Sequence, residues 1–299
     1  MCRDHPSPRP AGARLADAER TDLRDAASRK ALSAGPRAIR RADPAEVAAA
    51  LASTAATSPY FTVDEDRTGE LLRSLHDDPD ALTDAVRQVG AHFGMTEARV
   101  AASTLQFLVA AGLWSVALGA LAGGGVVPDL DRLRYRIGED ASVRLSLPEP
   151  GGWTTTGDPT PLLLRAVVEE HMKPFHTGLR SVARVADGLL WGNAAAALRS
   201  ALRSLPADLG DLGDRLLTAP TLRDALSPDG TRRSCCLFYR APTGHTCRAC
   251  PLSPGRGGTT RDRCRVEHRA GGPALGGGCR GACPPVGCRG SRVAPHREM

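Results

Sequence analysis

The longest uncharged stretch of the chain constrains its fold more than any other feature. No charged residue occurs between Arg99 and Asp129, where the sequence reads VAASTLQFLVAAGLWSVALGALAGGGVVP. A helix of this length could span a bilayer, or it could fill the centre of a globular fold. Its many alanines, its scattered polar residues and the helix-breaking run Gly123-Gly124-Gly125 favour a buried core helix, or a pair of them, over a transmembrane span.

The regions before this stretch show helical patterns. Residues 44–56 have a helix-forming composition that starts with a proline. Asp78-Pro79 is typical of an N-cap followed by proline in the first turn of a helix. The helix predicted there buries three apolar residues on one face, Leu82, Val86 and Val89.

The second half of the chain is also largely helical by pattern. An apolar face after residue 161 predicts a helix that breaks at Pro174. A further helical pattern runs from Leu179 to Leu202 and is interrupted at Trp191-Gly192-Asn193. Residues 206–224 predict a helical hairpin.

One stretch alternates polar and apolar residues as strands do. Arg134–Ile137 and Val143–Leu147 flank Gly138-Glu139-Asp140, which predicts a small hairpin. We read Val126–Leu130 as a turn and the Pro-, Gly- and Thr-rich residues 148–161 as a loop. The expected fold class is therefore α+β and mainly helical, with a small β-hairpin or sheet element and a C-terminal cysteine-ligated loop.

The most specific chemical signal is the stretch RSCCLFYRAPTGHTCRAC at 233–250. It contains Cys235, Cys236, Cys247 and Cys250 in the spacing C-C-x10-C-x2-C. Nine cysteines in a chain without an export signal favour metal binding or redox chemistry over a disulfide framework. Four thiolates from one loop can close a tetrahedral zinc site or hold a two-iron cluster.

The adjacent pair Cys235-Cys236 helps to choose between these sites. Neighbouring side chains of an extended segment point to opposite faces, so both thiols reach one site only where the backbone turns. Zinc modules usually avoid this strain with two CxxC arms, whereas a [2Fe–2S] cluster offers two irons and tolerates a cramped pair better. Zinc, a vicinal disulfide, and one structural thiol beside three ligating thiols stay open as alternatives.

The cysteine motif resembles the C-terminal iron–sulfur segment of the FhuF-like ferric-siderophore reductases, whose signature is a Cys-Cys pair, ten residues, Cys, two residues and Cys. Three phrases upstream are similar to members of the same family: LWSVALGAL with GVVPDLDRLRYR at 113–136, EEHMKP at 169–174 and LLWGNAAAAL at 189–198. The resemblance extends over residues 45–252.

This resemblance implies a cytoplasmic oxidoreductase that reduces the Fe(III) of a hydroxamate-type siderophore by one electron and releases Fe(II). It implies a [2Fe–2S] cluster on Cys235, Cys236, Cys247 and Cys250, with no catalytic residue beyond the cluster. The expected partners are the ferric siderophore, an electron donor such as a ferredoxin or flavin reductase, no specific nucleic acid, and the membrane surface as a peripheral contact. The alternative is a siderophore-binding protein, stabilised by zinc or by an iron–sulfur cluster, without reductase activity.

Positive charge is concentrated towards the C-terminus. The chain has a net charge of +6, and residues 231–299 contain 13 arginines against three acidic residues. Such a basic tail and the CxxC would suit a zinc-containing nucleic-acid binder, but the tail lacks the interleaved aromatic residues on which bases stack. We expect the arginines of the motif to offset the charge that reduction adds and to raise the cluster's potential. These are Arg232, Arg233, Arg240 and Arg248.

Docking of the chelate is expected within residues 45–230. The candidates are polar or aromatic residues inside otherwise apolar helical patterns, and each of them also fits core packing. They are Trp114, His171, His176, Trp191 and Asn193.

The two ends of the chain have the composition of disordered segments. Residues 1–44 lack the apolar core of a secretory signal, which favours a disordered extension of a cytosolic protein. Residues 253–299 have few large apolar residues and read as a low-complexity tail. A second metal site in this tail stays open because it contains Cys264, Cys279, Cys283 and Cys288. Between the ends we expect a mainly helical siderophore-docking domain, 45–230, and a [2Fe–2S]-binding segment, 231–252.

Overall fold

The uncharged stretch forms one long helix at the centre of the fold. In the computed structural model, which describes residues 39–205 and 209–253, this helix runs from Ala98 to Gly124. Seventeen of its 27 residues are buried, on all of its sides. It is long and apolar enough to cross a membrane, but 67% of its most apolar window is buried inside the protein. A helix that is apolar all round is typical of a core position, and the predicted core helix is confirmed.

This core helix is α4 in chain order. The remaining α-helices are α1 (Pro44–Thr57), α2 (Ser74–Asp77), α3 (Pro79–His92), α5 (Thr160–Leu163), α6 (Lys173–Val182), α7 (Asp187–Arg203) and α8 (Gly210–Leu217). A π-helical segment, Leu164–Met172, joins α5 to α6. Helices α1 and α7 make the most extensive contacts with α4. The predicted N-cap of α3 is confirmed, since the Asp78 side chain accepts hydrogen bonds from the backbone N–H groups of Asp80 and Ala81.

Within the described residues, six short strands form two antiparallel sheets of three strands each. The strands are β1 (Ile39–Ala42), β2 (Glu70–Leu71), β3 (Val126–Pro128), β4 (Arg134–Ile137), β5 (Val143–Ser146) and β6 (Gly152–Thr155). One sheet has the order β1-β6-β3, and the other has the order β2-β4-β5. The predicted hairpin is β4-β5, with Tyr135 opposite Leu145, and the α+β, mainly helical fold class is confirmed.

Two segments that we expected to be a turn and a loop are strands. All three residues of β3 are buried, and β6 lies within the predicted loop 148–161. A Cβ at Gly152 would lie 2.5 Å from the carbonyl oxygen of Val127, so this glycine lets the two strands approach each other. Neither Val-Val-Pro in β3 nor Gly-Trp-Thr-Thr in β6 alternates polar and apolar residues, which explains why the prediction was wrong here.

The first strand lies inside the N-terminal extension that we expected to be disordered. Residues 39–42 of β1 pair with β6, from Ile39 opposite Thr155 to Ala42 opposite Gly152. This pairing shows that order begins before residue 44. Residues 1–38 of the extension lie outside the described residues.

The helical breaks lie elsewhere than predicted. Pro174 does not end a helix, because it falls where the π-helical segment passes into α6, at a change of hydrogen-bond register. The break lies instead at 183–186, and Trp191-Gly192-Asn193 lies inside α7. The small size of Gly192 has a packing reason, since a Cβ there would lie 3.1 Å from the Ser234 hydroxyl.

The predicted helical hairpin at 206–224 is also wrong. Residues 210–217 form the single helix α8, and turns follow it up to Ala225. These turns lead directly into the cysteine segment. The low-complexity residues after 253 lie outside the described residues.

Candidate metal centre

The cysteine segment, defined here as residues 231–253, is anchored to the core helices. Its two ends are joined by a backbone hydrogen bond from the Arg232 N–H to the Ala249 carbonyl, 3.0 Å long. The Ser103 hydroxyl of α4 donates to the Cys236 carbonyl at 2.7 Å. The segment has no long helix or strand, so these bonds to its backbone fix it in place.

The backbone turns directly after the adjacent cysteines. Leu237 adopts a left-handed conformation with φ 66° and ψ −3°, which is uncommon for a residue with a branched side chain. Its N–H donates to Cys235 Sγ at 3.4 Å. A 3-10 turn, Phe238–Arg240, follows at once. The backbone therefore turns at the position that allows the thiols of both Cys235 and Cys236 to face one site.

The CxxC arm forms a second turn of the same kind. The Cys250 N–H donates to the Cys247 carbonyl at 3.0 Å. The Leu252 N–H then donates to Cys250 Sγ at 3.4 Å. Backbone N–H groups thus point at a sulfur in both arms, an arrangement that stabilises thiolate character and is typical of ligating cysteines.

The four sulfurs are electrostatic neighbours. Cys236 Sγ and Cys247 Sγ lie 3.7 Å apart. Hydrogen bonds from Cys235 and Cys247, and then the charge of Arg232, lower the pKa of Cys236. The hydrogen bond to Cys236 and then burial raise the pKa of both Cys235 and Cys247, and charge repulsion from Cys250 adds to this rise. The thiols of Cys235 and Cys247 and the charge of Arg232 therefore favour a thiolate at Cys236.

The thiols are free and are not gathered around a single point. All four cysteines of the segment are unpaired, so the vicinal disulfide is not formed. In the part of the chain that the structure describes, no group of three or more His, Cys, Asp and Glu side chains is placed to hold one metal ion.

A buried arginine lies against the thiols. Arg232 is only 4% exposed, and its Nη2 donates to Cys247 Sγ at 3.2 Å. Its Nη1 donates to the Asn193 side-chain oxygen, and its guanidinium lies 5.3 Å from the centre of the Phe107 ring. Its Nε has no partner within the described residues.

The surroundings of Arg232 indicate whether the site suits an iron–sulfur cluster. The polar partners of Arg232 are an amide and a thiol, and no acidic side chain in the described ranges pairs with it. Burial of an unpaired cation costs several kcal/mol, a cost that a nearby negative charge offsets. A [2Fe–2S] cluster on four thiolates carries net negative charge in both oxidation states, so the residues around the thiols fit this cofactor.

Asn193 and Ser103 complete a closed circuit of hydrogen bonds around the site. Asn193 is fully buried in α7, and its Nδ2 donates to the Ser103 carbonyl at 3.0 Å and to the Ser103 hydroxyl at 3.1 Å. Ser103 holds Cys236, while Asn193 holds Arg232, which contacts Cys247. Both core helices therefore position the two cysteine arms.

Sequence reasoning missed the roles of Ser103 and Phe107. Both belong to the uncharged stretch, and they lie four residues apart, on one face of α4. A polar residue and an aromatic one on the same side of an alanine-rich helix are a weak signal for a site. Nothing in the sequence shows that this face meets the cysteine segment.

Of the other predicted docking residues, three are buried and Trp191 is partly buried against the core. Trp114, His171 and His176 are buried, and none of them lines the cavity beside the cysteines. Burial lowers the pKa of His171 to about 4 and that of His176 to about 3. His176 contacts the Gln106 amide at 2.9 Å and stacks edge-on against Trp191. These side chains serve core packing in the described structure.

The remaining motif arginines do not contact a thiol. Arg240 forms an ion pair with Glu97 at 2.6 Å, which neutralises its charge locally. Arg233 is exposed and donates to the Leu226 carbonyl at 3.4 Å, and Arg248 is exposed as well. Of the four arginines named from the sequence, Arg232 is thus the one that the structure brings to the site.

A small apolar cavity opens beside Cys236 and Cys247. Its volume is about 240 Å³, and its walls are mainly aromatic and aliphatic. Three of the rings form an edge-to-face series, with Phe93 and Phe238 5.6 Å apart and Phe238 and His245 5.5 Å apart. Apolar walls limit the contact of these two cysteines with water, and limited solvent exposure is one of the factors that set cluster potentials.

Comparison with known families adds a match over this segment alone. Residues 232–252 match the model of the FhuF 2Fe-2S C-terminal domain. No curated protein matches the chain. The matched range contains all four thiols and Arg232, whereas the cysteines of the tail lie outside both the match and the described residues. The resemblance to the FhuF-like family is thereby confirmed over residues 232–252, and with it the predicted [2Fe–2S] cluster, whereas the upstream phrases between 113 and 198 lie outside the match.

Proposed function

We propose that the protein is a ferric-siderophore reductase that passes one electron to an Fe(III) chelate of hydroxamate type in the cytosol. We also propose that Cys235, Cys236, Cys247 and Cys250 are the ligands of its [2Fe–2S] cluster. One observation carries the proposal: a buried arginine, with no acidic partner among the described residues, lies against neighbouring free thiols inside the segment that matches an FhuF 2Fe-2S domain.

The two cysteine arms would hold the cluster from opposite ends of the loop. The adjacent pair supplies two thiolates, and the CxxC arm supplies the other two. When bound, the cluster accepts and releases one electron, which is the chemistry that cysteine side chains alone do not supply. The residues of the chain contribute ligation, charge and shielding from water.

The exposure of the thiols suggests which side meets the substrate. Cys236 and Cys250 are buried, while Cys235 and Cys247 are partly exposed. A chelate that docks on the exposed side would lie beside the partly exposed thiols without entering the 240 Å³ cavity, which is smaller than such a chelate. Docking on the surface also leaves room for chelates of different shape.

The proposed reaction releases iron because reduction changes its affinity for the chelate. Hydroxamates bind Fe(III) through hard oxygen donors, and these donors hold the softer Fe(II) far less tightly. The chelate gains one electron, and a protein donor such as a ferredoxin or flavin reductase loses one. No bond of the chelate skeleton breaks, so the step requires no general acid or base.

Anaerobic purification tests this proposal. We expect a reddish-brown protein with two irons and two sulfides per chain, a ratio set by the cluster type, whose colour dithionite bleaches. The reduced protein should convert ferric desferrioxamine to Fe(II), which ferrozine traps as a coloured complex. A colourless protein loaded with zinc would overturn the proposal. A protein that is bleached by dithionite but yields no Fe(II) would favour the binding protein without reductase activity.

A further inference from the structure

We infer that Arg232, held in place by Asn193 and Ser103, is the positioning residue that sets the reduction potential of the cysteine site. This inference rests on the proposed function, since it requires a [2Fe–2S] cluster on the four thiols. It goes beyond that proposal by assigning control of the reduction potential to Arg232 and to the neutral side chains of Asn193 and Ser103 that hold it.

Because Arg232 is buried beside Cys247, its positive charge acts strongly on the cysteine site. An exposed arginine is screened by water and salt, and its effect on a nearby redox centre is correspondingly weak. Arg232 is buried, and its Nη2 lies 3.2 Å from Cys247 Sγ. Charges interact more strongly in a low-dielectric interior, so the guanidinium favours whichever state of the site carries more negative charge.

The supports of Arg232 hold it without cancelling its charge. Asn193 accepts from Nη1 through a neutral amide oxygen, where a carboxylate would have neutralised the guanidinium. Asn193 is in turn fixed by two hydrogen bonds to Ser103 of α4. An amide in this position keeps the arginine still and leaves its full charge facing the sulfur.

The positive charge of Arg232 determines the direction in which it shifts the midpoint potential. Addition of one electron makes the cysteine site more negative by one unit, and the buried cation stabilises this reduced state more than the oxidised one. Loss of the cation should therefore lower the midpoint potential. Conversion of Asn193 to a carboxylate should lower it as well, although Arg232 stays in the chain.

Redox titration of the whole protein with its cluster bound tests the inference. The variants are Arg232→Gln, Arg232→Lys and Asn193→Asp, followed by visible absorption and electron paramagnetic resonance under argon. At a fixed ambient potential, we expect the reduced-to-oxidised ratio to fall at least about tenfold in Arg232→Gln and in Asn193→Asp, equal to about 59 mV for one electron. Arg232→Lys keeps a cation and should shift less.

Arg203→Gln is the matched control. Arg203 is an exposed arginine at the end of α7. Partial burial and, second, the charge of Arg248 lower its pKa, so Arg203 lies near the cysteine segment. It contacts no thiol, so its removal should change the ratio less than about twofold, as expected for a screened surface charge.

Each outcome supports or overturns the inference. Midpoints of Arg232→Gln and Asn193→Asp that match the wild type, with intact clusters, overturn it and leave the proposed function standing. If Arg232→Gln fails to hold a cluster, Arg232→Lys and Asn193→Asp decide the matter, since both keep a cation at position 232. A wild-type protein without a cluster overturns the inference and the proposed function together.

Discussion

The core helix α4 and the cysteine segment touch each other, yet different forces hold them. Helix α4 is buried along most of its length, and its apolar side chains gain free energy simply by leaving water. The cysteine segment has few apolar side chains, and single hydrogen bonds such as that from Ser103 to Cys236 fix its backbone. Burial stabilises the first, and polar contacts together with a cofactor stabilise the second.

Because of this difference, we expect the core to tolerate single substitutions and the cysteine segment to lose its cofactor when a single ligand is replaced. A core of many similar contacts loses stability gradually when one side chain is shortened. A ligand set of four thiols loses its cofactor when one ligand is removed, because each iron needs its own pair of thiolates. The following predictions test this contrast, from the largest expected effect to the smallest.

Replacement of either adjacent cysteine should abolish the cluster. In Cys235→Ser and Cys236→Ser we expect most of the iron and the visible absorption to be lost, because a hydroxyl is a poor substitute for a thiolate. Iron and sulfide analysis of anaerobically purified protein measures this. Cys264→Ser and Cys279→Ser, in the tail, are the controls and should retain the full cluster. Full iron content in Cys236→Ser would show that this residue is not a ligand.

A cavity in the core should lower stability without removing the cluster. Leu118 of α4 is fully buried, and Leu118→Ala should cost about 2–5 kcal/mol of the free energy of unfolding. Urea denaturation followed by circular dichroism gives this value, and the visible spectrum should stay unchanged below the transition. Leu71→Ala is the control, since Leu71 is 40% exposed and its truncation should cost far less. Equal costs at the two positions would contradict a burial-driven core.

Acid should weaken the core through its buried histidines. The folded-state pKa is about 4 for His171 and about 3 for His176, against 6.5 for an ordinary histidine, so between pH 6.5 and 4 the unfolded chain binds more protons than the folded one. Stability is then complete above pH 6.5 and falls as the pH drops, by up to about 1.4 kcal/mol per pH unit for each histidine.

Urea midpoints at pH 7.5 and pH 5 measure this acid sensitivity. His176→Phe should show a shallower loss than the wild type, since one of the two proton-linked groups is gone. A wild-type midpoint that is the same at both pH values would show that these histidines are accessible to protons in the folded state.

Removal of iron should loosen the cysteine segment and spare the core. Chelation should leave the far-ultraviolet circular dichroism almost unchanged, because the helices around α4 do not depend on the thiols. Trypsin should cut faster at Arg248, which is exposed between the CxxC cysteines, once the loop is no longer closed by a cofactor. Loss of helical signal on chelation would mean that the two regions fold as one unit.

Truncation after Leu252 should have the smallest effect. The match to the 2Fe-2S domain ends at residue 252, and within the described ranges the last hydrogen bond to a motif sulfur comes from the Leu252 N–H. We expect the truncated protein to keep its cluster, its visible spectrum and its rate of Fe(II) release. A loss of iron on truncation would show that thiols of the tail take part in the site.

The sequence was sufficient to predict features that depend on neighbours along the chain. The N-cap Asp78-Pro79 and the hairpin β4-β5 are local, and both were found where expected. The spacing of the cysteines is also local, and it identified the family that the match over 232–252 supports. The buried helix α4 was predictable because an uncharged stretch of this length has few alternatives.

The sequence could not predict features that depend on distant contacts. Strand β6 pairs with β1 and β3, which lie far away in the chain, and none of the three alternates polar and apolar residues. The same applies to Arg232: four arginines near the motif look alike in the sequence, and only the packing of α4 and α7 buries one of them. Asn193 was noted as a docking candidate but lies in the interior, where it holds this arginine.

The most direct test of electron transfer from the cluster to the ferric chelate is a count of electrons in a single turnover. Protein reduced with dithionite and freed of excess reductant is mixed anaerobically with ferric desferrioxamine and ferrozine in a stopped-flow instrument. We predict that the colour of the oxidised protein returns as Fe(II) forms, at the same rate and with one Fe(II) for each chain reoxidised, and that Cys236→Ser gives no Fe(II). Reoxidation without Fe(II), or Fe(II) formation at the wild-type rate in Cys236→Ser, would contradict it.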